Sequence, residues 1–80
     1  MKAKIYVTLK KGVLDPQGKA IHASLNHLGI AGVEDVRVGK FMEIRLHGVG
    51  REEARGRLDE ACRRLLANTV IEDYRIEVEG

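Results

Sequence analysis

Eighty residues carrying 14 basic and 12 acidic side chains, a formal charge of +2, make one small domain close to neutrality. That balance leaves no electrostatic footprint for nucleic acid or a membrane surface, and 44% hydrophobic with 32% charged residues reads as a folded chain. A single cysteine, Cys62, excludes an internal disulfide and suits a reducing cytoplasm, the expected location, and no apolar run approaches the ~20 residues of a membrane span.

The first segment, Lys2 to Lys10, alternates strictly. Ala3, Ile5, Val7 and Leu9 fall on one face and Lys4, Tyr6, Thr8 and Lys10 on the other, the pattern of a half-buried strand. Asp15-Pro16 then signals a helix start. The carboxylate can accept from free first-turn amides, and proline is preset for the first helical position. Ile21, Leu25 and Leu28 form one apolar stripe, and Gly29 suits a left-handed stop, so the first helix is predicted over Pro16 to Leu28.

Val36, Met42, Ile44 and Leu46 share even parity around Gly39. Two strands with a common core face need an odd loop between them. Val38-Gly39-Lys40 meets that condition with Gly39 at positive φ, and a single bent strand is the alternative. From Arg51 to Ala67, Ala54, Leu58, Ala61 and Leu65 form a second helical stripe. Its outer face pairs Glu53 with Arg57, Asp59 with Arg63 and Glu60 with Arg64 in the favourable i, i+4 order. Gly56 interrupts this helix at a cost of ~1 kcal/mol relative to alanine. Asn68 is predicted as a left-handed stop, and Val70 to Glu79 as the last strand, with Tyr74, Ile76 and Val78 alternating.

The predicted order is β-α-β-β-α-β in residues 1–80, a single α+β domain of split, ferredoxin-like type. Two helices would cover one face of a four-stranded antiparallel sheet in the order 4-1-3-2. The other face would carry Lys4, Tyr6, Thr8, Lys10, Phe41, Glu43, Arg45, His47, Arg75 and Glu77, suited to a polar subunit interface or to solvent. RNA recognition on this fold needs stacking aromatics on the central strands, and Glu43 would repel phosphate there. Cys62 stands alone beside the buried stripe and reads as a core residue. His22, His27 and His47 have no metal-ligand spacing. Lys10, Lys11 and Gly12 lead into a helix N-terminus that could attract an anion, but Asp15 should fill it as the cap. The spacings assemble no nucleophile and no acid-base pair. A chain this short buries only about 60% of its unfolded surface, so association with partners is the expected source of stability.

Three stretches carry a resemblance: Leu14-Asp15-Pro16-Gln17-Gly18; Asp35-Val36-Arg37-Val38-Gly39-Lys40; and Cys62 through Glu79, which includes Leu65-Leu66-Ala67-Asn68-Thr69-Val70-Ile71-Glu72. In this order and spacing the chain closely resembles the PurS subunit of phosphoribosylformylglycinamidine synthase over essentially its whole length. The resemblance implies a ligase that converts formylglycinamide ribonucleotide, glutamine and ATP into formylglycinamidine ribonucleotide, glutamate, ADP and phosphate in purine biosynthesis. A PurQ-type glutaminase subunit would release ammonia and a PurL-type synthetase subunit would use it, holding the ATP and Mg²⁺. This chain would then carry no catalytic, cofactor or metal site. It would bridge the two as a homodimer or homotetramer. The interface candidates are Tyr6, Phe41 and Arg45 on the polar face, and Asp15, Pro16, Gln17, Gly18, Arg37, Gly39, Lys40, Asn68 and Glu72 in the resembling stretches. An ACT-like module sensing a small molecule is the alternative on the same topology.

Overall fold

The structure, a computed structural model, describes residues 1–80. Its elements are β1 (Lys2–Leu9), α1 (Pro16–His27), β2 (Gly39–Arg45), α2 (Arg51–Ala61), a π-helical turn (Cys62–Leu66) and β3 (Glu72–Glu79). The three strands form one antiparallel sheet in the order β2-β1-β3. The α+β class therefore holds, while the predicted fourth strand and the four-stranded 4-1-3-2 order do not.

Gly39 explains why the predicted hairpin is absent. It is the first residue of β2 and does not adopt a positive φ. A Cβ there would lie 2.4 Å from the Val7 carbonyl oxygen. Glycine is needed because two backbones approach closely, not because the chain turns. Residues 31–38 form no strand, and side-chain hydrogen bonds hold the segment instead. The Val38 N–H donates to Asp15 Oδ2 at 2.8 Å. The Arg37 guanidinium donates to the Val13 and Lys10 carbonyls at 3.1 and 3.2 Å, lashing the segment to the loop before α1.

The core lies between α2 and one sheet face. Ala3, Ile5 and Val7 of β1 and Val78 of β3 meet Leu58, Cys62 and Ala67, all buried. Ile44 pairs with Ala3 and Met42 with Ile5, so the even positions of β2 share that face, as their parity predicted. The helical stripe itself shifts at its end. The Ala67 N–H reaches back to the Cys62 carbonyl at 2.9 Å, a five-residue step that widens the last turn. Cys62 stays on the buried stripe four residues after Leu58, Leu66 turns inward after the widened turn, and Leu65, predicted to be in the stripe, is 81% exposed. Asn68 is not a left-handed stop, since no residue other than glycine has positive φ. It forms a turn instead. Its Oδ1 accepts from the Val70 N–H at 3.1 Å, and its carbonyl accepts from Ile71 and Glu72. Gly29 does end α1 with φ 77°.

The largest departure concerns α1. It does not lie on the sheet beside α2: its one buried residue is Gly18, and Leu28 is 73% exposed. The molecule measures 50 × 26 × 14 Å with a radius of gyration of 16.0 Å, where a compact chain of this length has about 12 Å. A strand of eight residues spans about 27 Å and a helix of twelve about 18 Å, so sheet and α1 are laid nearly end to end.

Candidate subunit interface

Asp15 organises the junction between the sheet and α1. Its Oδ1 accepts from the Gly18 N–H at 2.8 Å, the predicted N-cap bond, while its Oδ2 takes Val38. These two amides, Val38 first and Gly18 second, hold the Asp15 carboxyl below the ordinary aspartate range, with the Arg37 charge assisting. Gly18 is fixed by space. A Cβ would lie 2.2 Å from the Val36 carbonyl oxygen, against backbone that cannot move aside cheaply. His22, one turn on, bonds the Val33 carbonyl at 2.8 Å through Nε2. Helix α1 and the 30–38 return segment thus form one arm.

The three resembling stretches, distant in sequence, converge beside this clamp. An open groove of about 460 Å³ is lined by Leu9, Asp15, Pro16, Gln17, Val38, Gly39, Lys40 and Glu72. Lys40 Nζ faces Glu72 Oε2 at 3.9 Å across it. Six of the predicted interface residues meet here: Asp15, Pro16, Gln17, Gly39, Lys40 and Glu72. Asn68 joins through Glu72, whose Oε1 accepts its backbone N–H at 2.7 Å. Gly18 and Arg37 sit behind the groove, as parts of the clamp. Spacing alone did not bring these residues together, because the meeting point depends on where the arm leaves the sheet.

Tyr6, Phe41 and Arg45 lie elsewhere, on the sheet face away from α2. Tyr6 is opposite Phe41 on one side and Arg75 on the other. The Tyr6 and Phe41 rings are 5.2 Å apart, and the Arg75 guanidinium stacks 4.1 Å from the centre of the Tyr6 ring. Around them runs a lattice of ion pairs: Lys2 with Glu43, Lys4 with Glu79 at 2.8 Å, and Arg75 with Glu77. Bonding to Lys4 lowers the Glu79 pKa and raises that of Lys4. Arg45 stands opposite Lys2 at the far end. On the helical side, the Tyr74 hydroxyl donates to Asp59 Oδ1 at 2.6 Å, and Arg51 donates to the Val78 carbonyl, joining β3 to α2. Burial pushes the Cys62 thiol pKa up. No three His, Cys, Asp or Glu side chains are placed to hold a metal ion, and no helix is long and apolar enough to cross a membrane.

Comparison with known proteins gives a consistent answer. The model of a family described as PurS, phosphoribosylformylglycinamidine (FGAM) synthase, matches residues 2–80. The FGAM synthase subunit PurS of Bacillus subtilis is 50% identical, with 98% of this chain and 92% of that protein aligned. Its Methanocaldococcus jannaschii counterpart is 44% identical over 98% and 94%. Among solved structures, B. subtilis PurS superposes with a TM-score of 0.88 at 49% identity, covering 99% of this chain and 98% of that one. A chain in the structure of PurLQS from Thermotoga maritima superposes with a TM-score of 0.87 at 30% identity, covering 95% and 93%. With a family match over residues 2–80, and with the three resembling stretches gathered at one junction, this protein belongs to the PurS family of FGAM synthase subunits.

Proposed function

We propose that this chain is a non-catalytic assembly subunit of FGAM synthase, a glutamine- and ATP-dependent ligase of purine biosynthesis. In this reading residues 1–80 act in the cytoplasm as one domain and as a homo-oligomer. They bridge a PurQ-type glutaminase and a PurL-type synthetase, with ATP and Mg²⁺ bound in the synthetase. The observation that carries it is the full-length likeness to a chain of the PurLQS structure. The same likeness leaves the ACT-like alternative without support. The groove of Gln17, Lys40 and Glu72 is the contact surface for a partner subunit, because the family-like stretches converge there around side chains that remain exposed or half-buried.

Reconstitution tests the proposal. Mixed with cognate glutaminase and synthetase subunits, glutamine, ATP and Mg²⁺, the chain should co-elute with both and be required for glutamine-dependent amidation. Synthesis driven by added ammonia should need it far less. Gln17→Ala with Lys40→Ala should weaken co-elution while leaving the melting temperature unchanged. Full glutamine-dependent turnover without the chain would refute the assembly role.

A further inference from the structure

The connection between α2 and β3 holds two aliphatic side chains out in solvent, and the local backbone puts them there. In an unbroken helix Leu65, seven residues after Leu58, would stay on the buried stripe. The bond from the Ala67 N–H to the Cys62 carbonyl widens that turn and leaves Leu65 exposed. π-helical turns of this kind are frequent at functional sites. The Asn68 turn does the same for Val70, whose N–H is held by Asn68 Oδ1 at 3.1 Å while its side chain is 80% exposed. No other large hydrophobic side chain of the chain is more exposed than these two. The Lys10 N–H donates to the Ile71 carbonyl at 2.8 Å, which brings Lys10 and Lys11 to the same end of the molecule. Neither lysine takes part in the ion pairs of the chain.

We infer that Leu65 and Val70 dock an apolar segment bordered by carboxylates, on the same partner subunit that fills the groove. This rests on the assembly reading and extends it to a second surface. Continuity argues for one occupant. Asn68, whose side chain holds Val70, is itself held through its N–H by Glu72, a wall of the groove. A subunit seated on Lys40 and Glu72 is thus two residues of chain from Val70. Charge argues for the chemistry of that subunit, because the unpaired Lys10 and Lys11 are matched by acidic side chains. Charge also argues against a second copy, since a two-fold contact here would bring the same unpaired lysines of both copies together. Covering two aliphatic side chains supplies affinity that the hydrogen-bonding groove lacks.

The test titrates the chain, or its Leu65→Ser, Val70→Ser variant, into cognate glutaminase and synthetase subunits with glutamine, ATP and Mg²⁺. Both side chains are exposed, so the variant should melt with the wild type and sediment as the same oligomer. The amount needed for half-maximal glutamine-dependent turnover should rise at least about tenfold. Lys10→Glu with Lys11→Glu should raise it as well, and added salt should shrink that difference. To identify the occupant, a benzophenone maleimide is placed on Leu65→Cys and, separately, on Gln17→Cys, with buried Cys62 left unlabelled. Both probes should cross-link to the same subunit. Unchanged half-saturation in the Leu65→Ser, Val70→Ser variant overturns the docking and leaves the assembly role standing. Cross-links from the two probes to different subunits overturn the shared occupant. Cross-links from Leu65→Cys to a second copy, or loss of the wild-type oligomer in the variant, overturn it in favour of self-association. Full turnover without any of the chain overturns the assembly reading and the docking together.

Discussion

Asp15 accepts two backbone N–H groups that belong to different parts of the chain, one inside α1 and one leading into β2. Serine can cap a helix as well as aspartate, but its single oxygen cannot reach both amides. Asp15→Ser should therefore keep the cap yet free the arm, lowering the melting temperature by about 4–8 °C and weakening self-association further. A thermal melt beside sedimentation separates these effects. Because the native carboxyl titrates below its ordinary value, its contribution is complete above about pH 4. It is lost as pH falls from there through the lowered native pKa, so the wild-type advantage over Asp15→Asn should vanish in acid melts. Cys62 is fully buried and its thiol pKa is raised, so a thiol reagent should modify it only after unfolding. Cys62→Ala should cost ~1–2 kcal/mol in denaturant titrations and leave the reconstituted complex active.

Among the elements, α2 shows where periodicity serves and where it fails. Ala54, Leu58 and Cys62 are buried at ordinary helical spacing, but the π turn then rotates the register so that Leu66, not Leu65, packs on the core. A period of 3.6 cannot anticipate a five-residue hydrogen bond. The Tyr74 hydroxyl anchors the same helix by holding the Asp59 carboxyl, whose pKa is lowered chiefly by that bond. Gly56 lies mid-helix with nothing within 4 Å of a built Cβ and without a positive φ. Gly56→Ala should then stabilise the protein by ~1 kcal/mol, read as a higher midpoint in urea. No packing in the single chain requires glycine there, so loss of assembly in that variant would mark a partner surface on the outer side of α2.

For the whole molecule, shape is the informative quantity. A chain of 80 residues with seven side chains in its core cluster is thinly stabilised, and its extension of 50 Å exposes apolar surface that a compact fold would use. A single copy of the chain should give a radius of gyration near 16.0 Å in small-angle scattering at dilution. A value near the compact ~12 Å would mean that α1 folds back over its own sheet. The polar face around Tyr6 and Phe41 is already satisfied by stacking and ion pairs within the chain. It therefore has less to gain from a partner than the arm or the groove.

Local chemistry settled much of this protein in advance. Alternation placed β1 and β3, Asp15-Pro16 started α1, Gly29 ended it, and parity put Met42 and Ile44 on the core face, because each depends on groups within a few residues. The resemblance of three short stretches named the family for a related reason: identity resides in the order of residues. What only the tertiary structure decided was every outcome that depends on competition for backbone partners at long range. Asp15 took up the Val38 N–H, the Arg37 side chain tied the segment to the Lys10 and Val13 carbonyls, and the close approach of Gly39 to Val7 replaced a hairpin turn. From those few contacts came the direction of α1, the open half of the sheet, and the groove where the separated stretches meet.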